Sequence, residues 1–325
     1  MHKDINSSPR YIWLADPFPV SFQNKLMELG WNLLEKNDPR APELSTVLLI
    51  NSAFSITAES IKKWPSLKLI LRAGVGTDHM DLEAITQAGI QLYNTPGANA
   101  QAVGEMSTGA LLSLVRNIYK STLEVKNKIW KREINRGFEL SELKIGIIGL
   151  GNTGSAFANC LKGFNTRILA YDKYKSDWNP ELAEKVELEE LLSTAEVISL
   201  HIPQTAETFN LINEDFFNQW KPAKFLLNFS RGGIVNLPSL ISALDRGSLL
   251  GVHLDVLPQE KFNPNTNELL LPESEQILYQ QVLNHPKIQM SPHIGGWTYR
   301  SKTEIENALL NSLQTWMQEK GYTPQ

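Results

Sequence analysis

The sequence predicts an α/β protein of two doubly wound, parallel-sheet domains, and three observations carry that expectation. Short apolar, β-branched runs alternate with helix-like stretches along the whole chain. The runs are nearly continuous in apolarity, as strands covered on both faces require. A Pro-Gly break at Asn94–Ala98 (NTPGA) then divides them into an earlier and a later series. The length, 325 residues, suits about two domains of roughly 150 residues each.

In chain order, the first strand candidates are Tyr11–Asp16 (YIWLAD), Thr46–Ser52 (TVLLINS), Leu67–Ala73 (LKLILRA) and Ile90–Thr95 (IQLYNT). After the break, Asn99 is placed to cap a long helix running to about Tyr119. Its Ala102, Gly104, Ser107, Gly109 and Ala110 would allow close packing on a neighbour. The second series comprises Lys144–Gly149, Arg167–Asp172, Val197–Ile202, Lys224–Ser230, Leu250–Val256 and Ile288–His293. Lys261–Gln276, with two Pro and three Asn, reads as a surface loop. One more long helix, about Thr298–Glu319, follows the last strand, and the sequence leaves open which domain it joins.

Composition narrows the function. Apolar residues make up 42% and the net charge is −4, so no global field attracts a phosphate backbone and nucleic acid is not an expected partner. One cysteine, Cys160, excludes an intrachain disulfide and any multi-Cys metal site. No His/Asp/Glu cluster has metal-ligand spacing, so no metal is expected. No apolar run reaches the eighteen or so residues that span a bilayer, and the N-terminus lacks a signal-like apolar stretch. A soluble, cytoplasmic protein without membrane partners is the expectation.

The first chemical motif is Gly149, Gly151 and Gly154 (GLGNTG), directly after the strand KIGII and before a helical stretch. The first glycine makes a tight turn, the second lets the backbone approach a pyrophosphate, and the third permits close helix–strand packing. The helix N-terminus adds unpaired amides and partial positive charge. Asp172 closes the next strand 21 positions after Gly151, where a carboxylate accepts from ribose hydroxyls and repels a 2′-phosphate. A Rossmann-like site for NAD rather than NADP is therefore expected, with Lys173 and Lys175 softening the preference. A methyltransferase using S-adenosylmethionine has a similar turn, so the turn alone does not name the chemistry.

Three ionisable residues sit past the carboxyl ends of successive late strands: Arg231, Glu260 and His293. In an open parallel sheet, ligands bind outside those ends. A histidine exchanges a proton near neutral pH, a carboxylate beside it stabilises the imidazolium, and an arginine fork grips a carboxylate. Singly, each has a bland reading as a turn or loop residue; jointly, downstream of a dinucleotide turn, they suit reduction of a 2-oxo acid.

At these residues the chain resembles the D-isomer-specific 2-hydroxyacid dehydrogenase family. RAGVGTD at 72–78, NTPG at 94–97, AVGE at 102–105, GLGNTG, HIP at 201–203, NFSRGGIV at 228–235, GVHLDV at 251–256 and SPHIGG at 291–296 fall in family order. The resemblance covers roughly residues 44 to 316, nearest in look to short bacterial phosphoglycerate dehydrogenase-like proteins. It implies that Arg231, Glu260 and His293 are the catalytic trio and that Asp255 bonds the nicotinamide carboxamide. It places Asn152, Thr153, Ile202, Pro203, Phe229, Ser230 and Gly295 with the glycine turn and Asp172 along the cofactor. It makes Gly74, Val75 and Gly76 a loop whose amides hold the substrate carboxylate, an anion nest.

The resemblance further implies a discontinuous substrate domain, 1–98 with 297–325, into which an NAD-binding domain, 99–296, is inserted, and a homodimer built through the latter. Three departures stand out. Asn51 occupies a substrate position where members acting on 3-phosphohydroxypyruvate often carry Arg. Lys261 replaces a common Pro after Glu260, and the loop before His293 is longer than usual. The resemblance makes 3-phosphoglycerate/3-phosphohydroxypyruvate, as in serine biosynthesis, the first expected substrate pair, with hydroxypyruvate or glyoxylate the alternative. An NAD(H)-sensing co-repressor-like scaffold is the expectation from another class. Against it, the chain lacks a basic tract or disordered tail for recruiting partners. Arg116–Arg136 holds seven basic residues against two acidic ones and reads as a solvated helix face. His201, His79 and Cys160 read as structural residues.

Overall fold

The computed structural model describes residues 9–51, 54–175, 177–263 and 266–322. Ser52, at the end of one predicted strand, and Pro264 and Asn265, in the predicted loop, lie outside them. The chain forms two compact units, Met1–Asn99 with Thr298–Gln325, and Ala100–Trp297.

The first unit is built on five parallel strands: β1 (Tyr11–Leu14), β2 (Asn32–Leu34), β3 (Val47–Ile50), β4 (Leu69–Arg72) and β5 (Gln91–Tyr93). Their order is β2-β1-β3-β4-β5, so the winding reverses between β1 and β3. Every residue of β3 and β4 is buried, which is why VLLI and the LIL of β4 read as apolar runs. On one face Ile12, Leu14 and Val47 pack with Phe22 and Leu26 and with Leu309, Leu313 and Trp316 of the terminal helix, Tyr299–Glu319. That helix starts at a capping box: Thr298 Oγ1 accepts from Ser301 N (3.1 Å), and Ser301 Oγ accepts from Thr298 N (3.0 Å). On the other face Trp13, Leu48, Trp64 and Ile85 form a second core.

The second unit carries a seven-stranded parallel sheet from β6 (Lys144–Ile148), β7 (Arg167–Tyr171), β8 (Glu184–Lys185), β9 (Val197–Leu200), β10 (Phe225–Asn228), β11 (Gly251–Leu254) and β14 (Ile288–Met290). The order is β14-β11-β10-β9-β6-β7-β8. Winding therefore reverses between β6 and β9, the place where such sheets open a crevice for ligands. Helices Ala100–Val115 and Asn152–Leu161 cover one face, and Leu191, Phe216, Leu240 and Tyr279 fill the other. Both sheets are those of the doubly wound α/β class.

The structure corrects the sequence reading in several places. The helix expected to reach Tyr119 ends at Val115, and Asn117 adopts φ 53° before a second helix, Ile118–Lys126. A residue in the left-handed region cannot continue a right-handed helix. Asn99 does not cap: its Oδ1 is buried without a hydrogen-bond partner. The loop after Glu260 contains a small hairpin, β12 (Lys261–Phe262) paired antiparallel with β13 (Leu269–Leu270). Strands β2 and β8, only 3 and 2 residues long, were too short to register as apolar runs.

Candidate active site

At the switch point of the second unit, the chain leaves β6 through Gly149, whose φ of 91° suits glycine. A Cβ there would lie 2.6 Å from the His201 carbonyl oxygen at the end of β9. Gly151 is the N-cap of helix Asn152–Leu161, and no side chain caps that helix. A Cβ added at Gly151 would meet nothing within 4 Å. The turn thus presents a bare helix start, with open space beside it, to a phosphate group. Asp172 closes over the turn from β7. Its Oδ2 accepts from Leu150 N (2.9 Å), while Oδ1 accepts from Tyr174 N and Lys175 N (both 3.0 Å). The Lys173 ammonium is drawn off to Glu207 (2.5 Å), and Lys175 Nζ donates to the Leu150 carbonyl (3.3 Å).

The ends of β9 and β10 are latched together. Ser230 Oγ donates to Leu200 O (2.6 Å) and accepts from Ile202 N (3.2 Å), which sets the backbone at 202–203 beside that at 229–230. His201 is enclosed between Ser199 Oγ (2.8 Å) and Thr153 Oγ1 (3.3 Å), and burial pushes its pKa down to about 3. It is a neutral structural residue. Cys160 is partly enclosed, and burial, then the Glu105 carboxylate, push its thiol up, away from a reactive thiolate.

Arg231, Glu260 and His293 follow β10, β11 and β14, three strands that are neighbours in the sheet. The buried Asn228 braces the first: its Nδ2 donates to Arg231 O (2.9 Å) and its Oδ1 accepts from Ser230 N (3.0 Å). Gly232 is required by close approach, since a Cβ would fall on the Leu257 carbonyl group. That crossing segment leads to Glu260, whose Oε2 accepts from Leu257 N (3.2 Å). Tyr279 Oη anchors the same segment by donating to Pro258 O. Burial, followed by the Glu275 and Glu260 charges, pushes this phenol up to about 12, so it stays a donor.

His293 Nδ1 meets Glu260 Oε1. The imidazole is 49% exposed and the carboxylate 35%, so the pair faces solvent with Nε2 as the nitrogen away from Glu260. His293 adopts φ 53°, uncommon for a residue with a side chain, and its amide donates to Asp255 O (2.8 Å). Asp255 itself is buried, and its carboxylate accepts from Ser291 Oγ (2.5 Å), Ile294 N (2.9 Å) and Gly295 N (2.7 Å). Burial pushes this carboxyl up from the ordinary aspartate range; the three donors work against the shift. The structure thus ties Asp255 to the His293 loop, a role the sequence reading missed. The Asn228 brace and Ser291 were missed as well.

In the first unit, the loop after β4 is fixed through its carbonyls. Gly74 O accepts from Thr95 N (3.1 Å), Val75 O from Asn94 Nδ2 (2.8 Å) and Gly76 O from Arg72 Nε (2.9 Å). Asn51 lies at that unit's own reversal point. Its amide donates to Asp16 Oδ2 (2.6 Å), and its Oδ1 accepts from Arg72 Nη1 (3.3 Å). The buried guanidinium beside Asn51 was not singled out from sequence. Among the described residues no group of three or more His, Cys, Asp or Glu is arranged for a metal ion, and no helix is long and apolar enough to cross a membrane.

The family model for the NAD binding domain of D-isomer specific 2-hydroxyacid dehydrogenases matches residues 108–295. A hydroxypyruvate reductase from Thermotoga maritima is 31% identical over 272 residues, 84% of this chain and 84% of its own length. A D-3-phosphoglycerate dehydrogenase from Synechocystis sp. is 34% identical over 269 residues, 81% of this chain and 45% of its own. The chain spans about half the length of the phosphoglycerate dehydrogenases that it matches. The crystal structure of a D-lactate dehydrogenase from Aquifex aeolicus, complexed with NAD and lactic acid, superposes with a TM-score of 0.85 at 26% identity, covering 95% of this chain and 96% of that one. The fold and the site define an NAD-dependent oxidoreductase. This chain belongs to the D-isomer specific 2-hydroxyacid dehydrogenase family.

Proposed function

We propose that the protein interconverts a small 2-oxo acid and its D-2-hydroxy acid, acting as a cytoplasmic homodimer. The observation that carries this reading is the His293–Glu260 pair, made across the ends of β14 and β11, with Arg231 at the end of β10, the next strand in the sheet. The first unit serves as substrate domain and the second as nucleotide-binding domain. Bound at the glycine turn, NAD supplies the hydride acceptor, or as NADH the donor, at C2 of the acid. His293 holds the proton exchanged with the substrate oxygen, at Nε2, because Glu260 engages Nδ1. Arg231 grips the substrate carboxylate and orients it. The amides of Val75 and Gly76 offer a carboxylate a second set of donors. Asp172 receives the ribose hydroxyls.

The family resemblance makes 3-phosphohydroxypyruvate the first substrate. One observation favours the unphosphorylated alternative, hydroxypyruvate or glyoxylate. Asn51 contributes no charge where a phosphate would need one, and the Asp16 carboxylate lies against its amide. The test is NADH oxidation by the purified protein with 3-phosphohydroxypyruvate, hydroxypyruvate, glyoxylate and pyruvate in parallel, alongside His293→Ala. We expect turnover of at least one acid, lost by about 10³-fold or more in His293→Ala while NADH still binds. Preference for an unphosphorylated acid makes Asn51 a specificity residue. Absence of turnover on all four, or full turnover in His293→Ala, overturns the reading.

A further inference from the structure

We infer that His253 is a positioning residue for the proton-transferring histidine, fixing the main chain at 293–295 through Ser291 and Asp255. The inference rests on the catalytic role proposed for His293. β11 reads GVHL, and its one polar side chain is 7% exposed. The His253 ring lies flat on Phe229, with centroids 5.2 Å apart and planes 4° from parallel. Its Nε2 is 3.0 Å from Ser291 Oγ.

The direction of the chain of bonds follows from donor counting. Ser291 has one hydroxyl proton, and it goes to Asp255 Oδ1 at 2.5 Å, an oxygen that can only accept when ionised. Ser291 Oγ must then accept from His253, which puts the imidazole proton on Nε2. Nδ1 is left unprotonated, and it is buried with no hydrogen-bond partner. A buried polar atom left unmatched in this way is a cost that packing alone does not explain. The proton donors line up as His253 Nε2–H to Ser291 Oγ–H to Asp255, a sequence in which each bond polarises the next.

Asp255 distributes the effect. Its two carboxylate oxygens hold the amides of Ile294 and Gly295, and its carbonyl holds the amide of His293. Those three consecutive amides fix the segment in which His293 takes its left-handed φ of 53°. Burial pushes His253 down to about 4, so the ring remains the neutral Nε2–H donor over the working range. β11 and β14 are neighbours in register, with His253 opposite Gln289, two residues before Ser291. The side chain therefore reaches the loop across one strand spacing.

The test uses the full chain with His253→Leu, His253→Gln and Ser291→Ala. Leucine keeps apolar bulk without a donor, glutamine can supply an N–H in place of Nε2–H, and Ser291→Ala breaks the link while leaving the ring on Phe229. Measured are kcat, KM for the oxo acid, NADH affinity by fluorescence, and hydrogen–deuterium exchange of the peptide spanning 291–297. We expect His253→Leu and Ser291→Ala to lower kcat about tenfold or more, with KM and NADH affinity within about threefold, and to speed exchange across 291–297. His253→Gln should stay within about threefold of the parent in kcat and exchange. Unchanged kcat and exchange in Ser291→Ala overturn the inference even if His253→Leu folds poorly. Equal impairment of the glutamine and leucine variants does so too, since ring stacking would then be the whole effect. Full turnover in His293→Ala would instead defeat the role given to His293, and the exchange measurement would still decide whether His253 fixes the loop.

Discussion

At the scale of single residues, the site uses three histidines in two electrostatic settings. His201 and His253 are enclosed, and burial pushes them down to about 3 and about 4, while His293 stands half exposed against a carboxylate. A histidine whose folded pKa lies below its unfolded value of about 6.5 binds fewer protons when folded. Its contribution to stability is thus full above about pH 6.5 and is withdrawn as the pH falls through that value toward the folded pKa. At about 1.4 kcal/mol per unit, the two rings together withdraw several kcal/mol, as an order of magnitude, on acidification to about pH 4. The expected outcome is a denaturation midpoint at pH 4.5 well below that at pH 7, with a shallower decline in His253→Gln. Equal slopes for the two proteins would show that burial does not push His253 down in the fold. The Asn51–Arg72 contact belongs to this scale as well. A guanidinium held by Asn51 Oδ1 and Gly76 O is committed to shaping its own loop.

At the scale of elements, the site is a row of strand ends, each tied to the next by a local device. Ser230 bridges β9 and β10, the crossing at Gly232 joins β10 to the Glu260 segment, and Asp255 joins β11 to the loop after β14. The Gly232 crossing gives a sharp test. Gly232→Ala would drive a methyl group into the Leu257 carbonyl and displace the path to Glu260. We expect a loss of about 1–3 kcal/mol in chemical denaturation, a large fall in kcat and retained NADH binding. Parent-like values would mean the crossing is slack. The strands were readable in the sequence because both faces of each sheet are covered, so every residue of β9, β10 and β11 is buried and the runs are mostly apolar. The placement of Arg231, Glu260 and His293 at neighbouring strand ends was readable because strand ends are where such a sheet gathers its chemistry. The rest depended on distant parts of the chain. The helix break at Val115 hinges on one left-handed Asn117, and two-residue strands such as β12 and β13 carry no periodicity. His253 and Ser291 are 38 residues apart and meet only because β11 lies beside β14.

At the scale of the whole molecule, the nucleotide unit leaves an apolar surface uncovered. Between residues 118 and 134, Ile118, Tyr119, Val125, Trp130 and Ile134 are each half exposed or more, Trp130 at 78%. Exposed apolar residues of this kind are what a subunit interface would cover, and the proposed dimer would supply a second copy of the chain to do so. Sedimentation velocity should find a dimer, and Trp130→Glu should shift it toward monomer; a monomeric parent would dismiss the dimer. The division into units has a further consequence, for the order in which the protein can be made. The first core needs Leu309, Leu313 and Trp316, which the ribosome supplies only after the whole nucleotide unit has been synthesised. At about 5–20 residues per second, the sheet of Ile12, Leu14 and Val47 waits on the order of ten to forty seconds with that face only partly covered, by Phe22 and Leu26. The nucleotide unit, contiguous in the chain, has no such wait. During every round of synthesis the amino-terminal half-core thus stays incompletely covered until the helix Tyr299–Glu319 has been made.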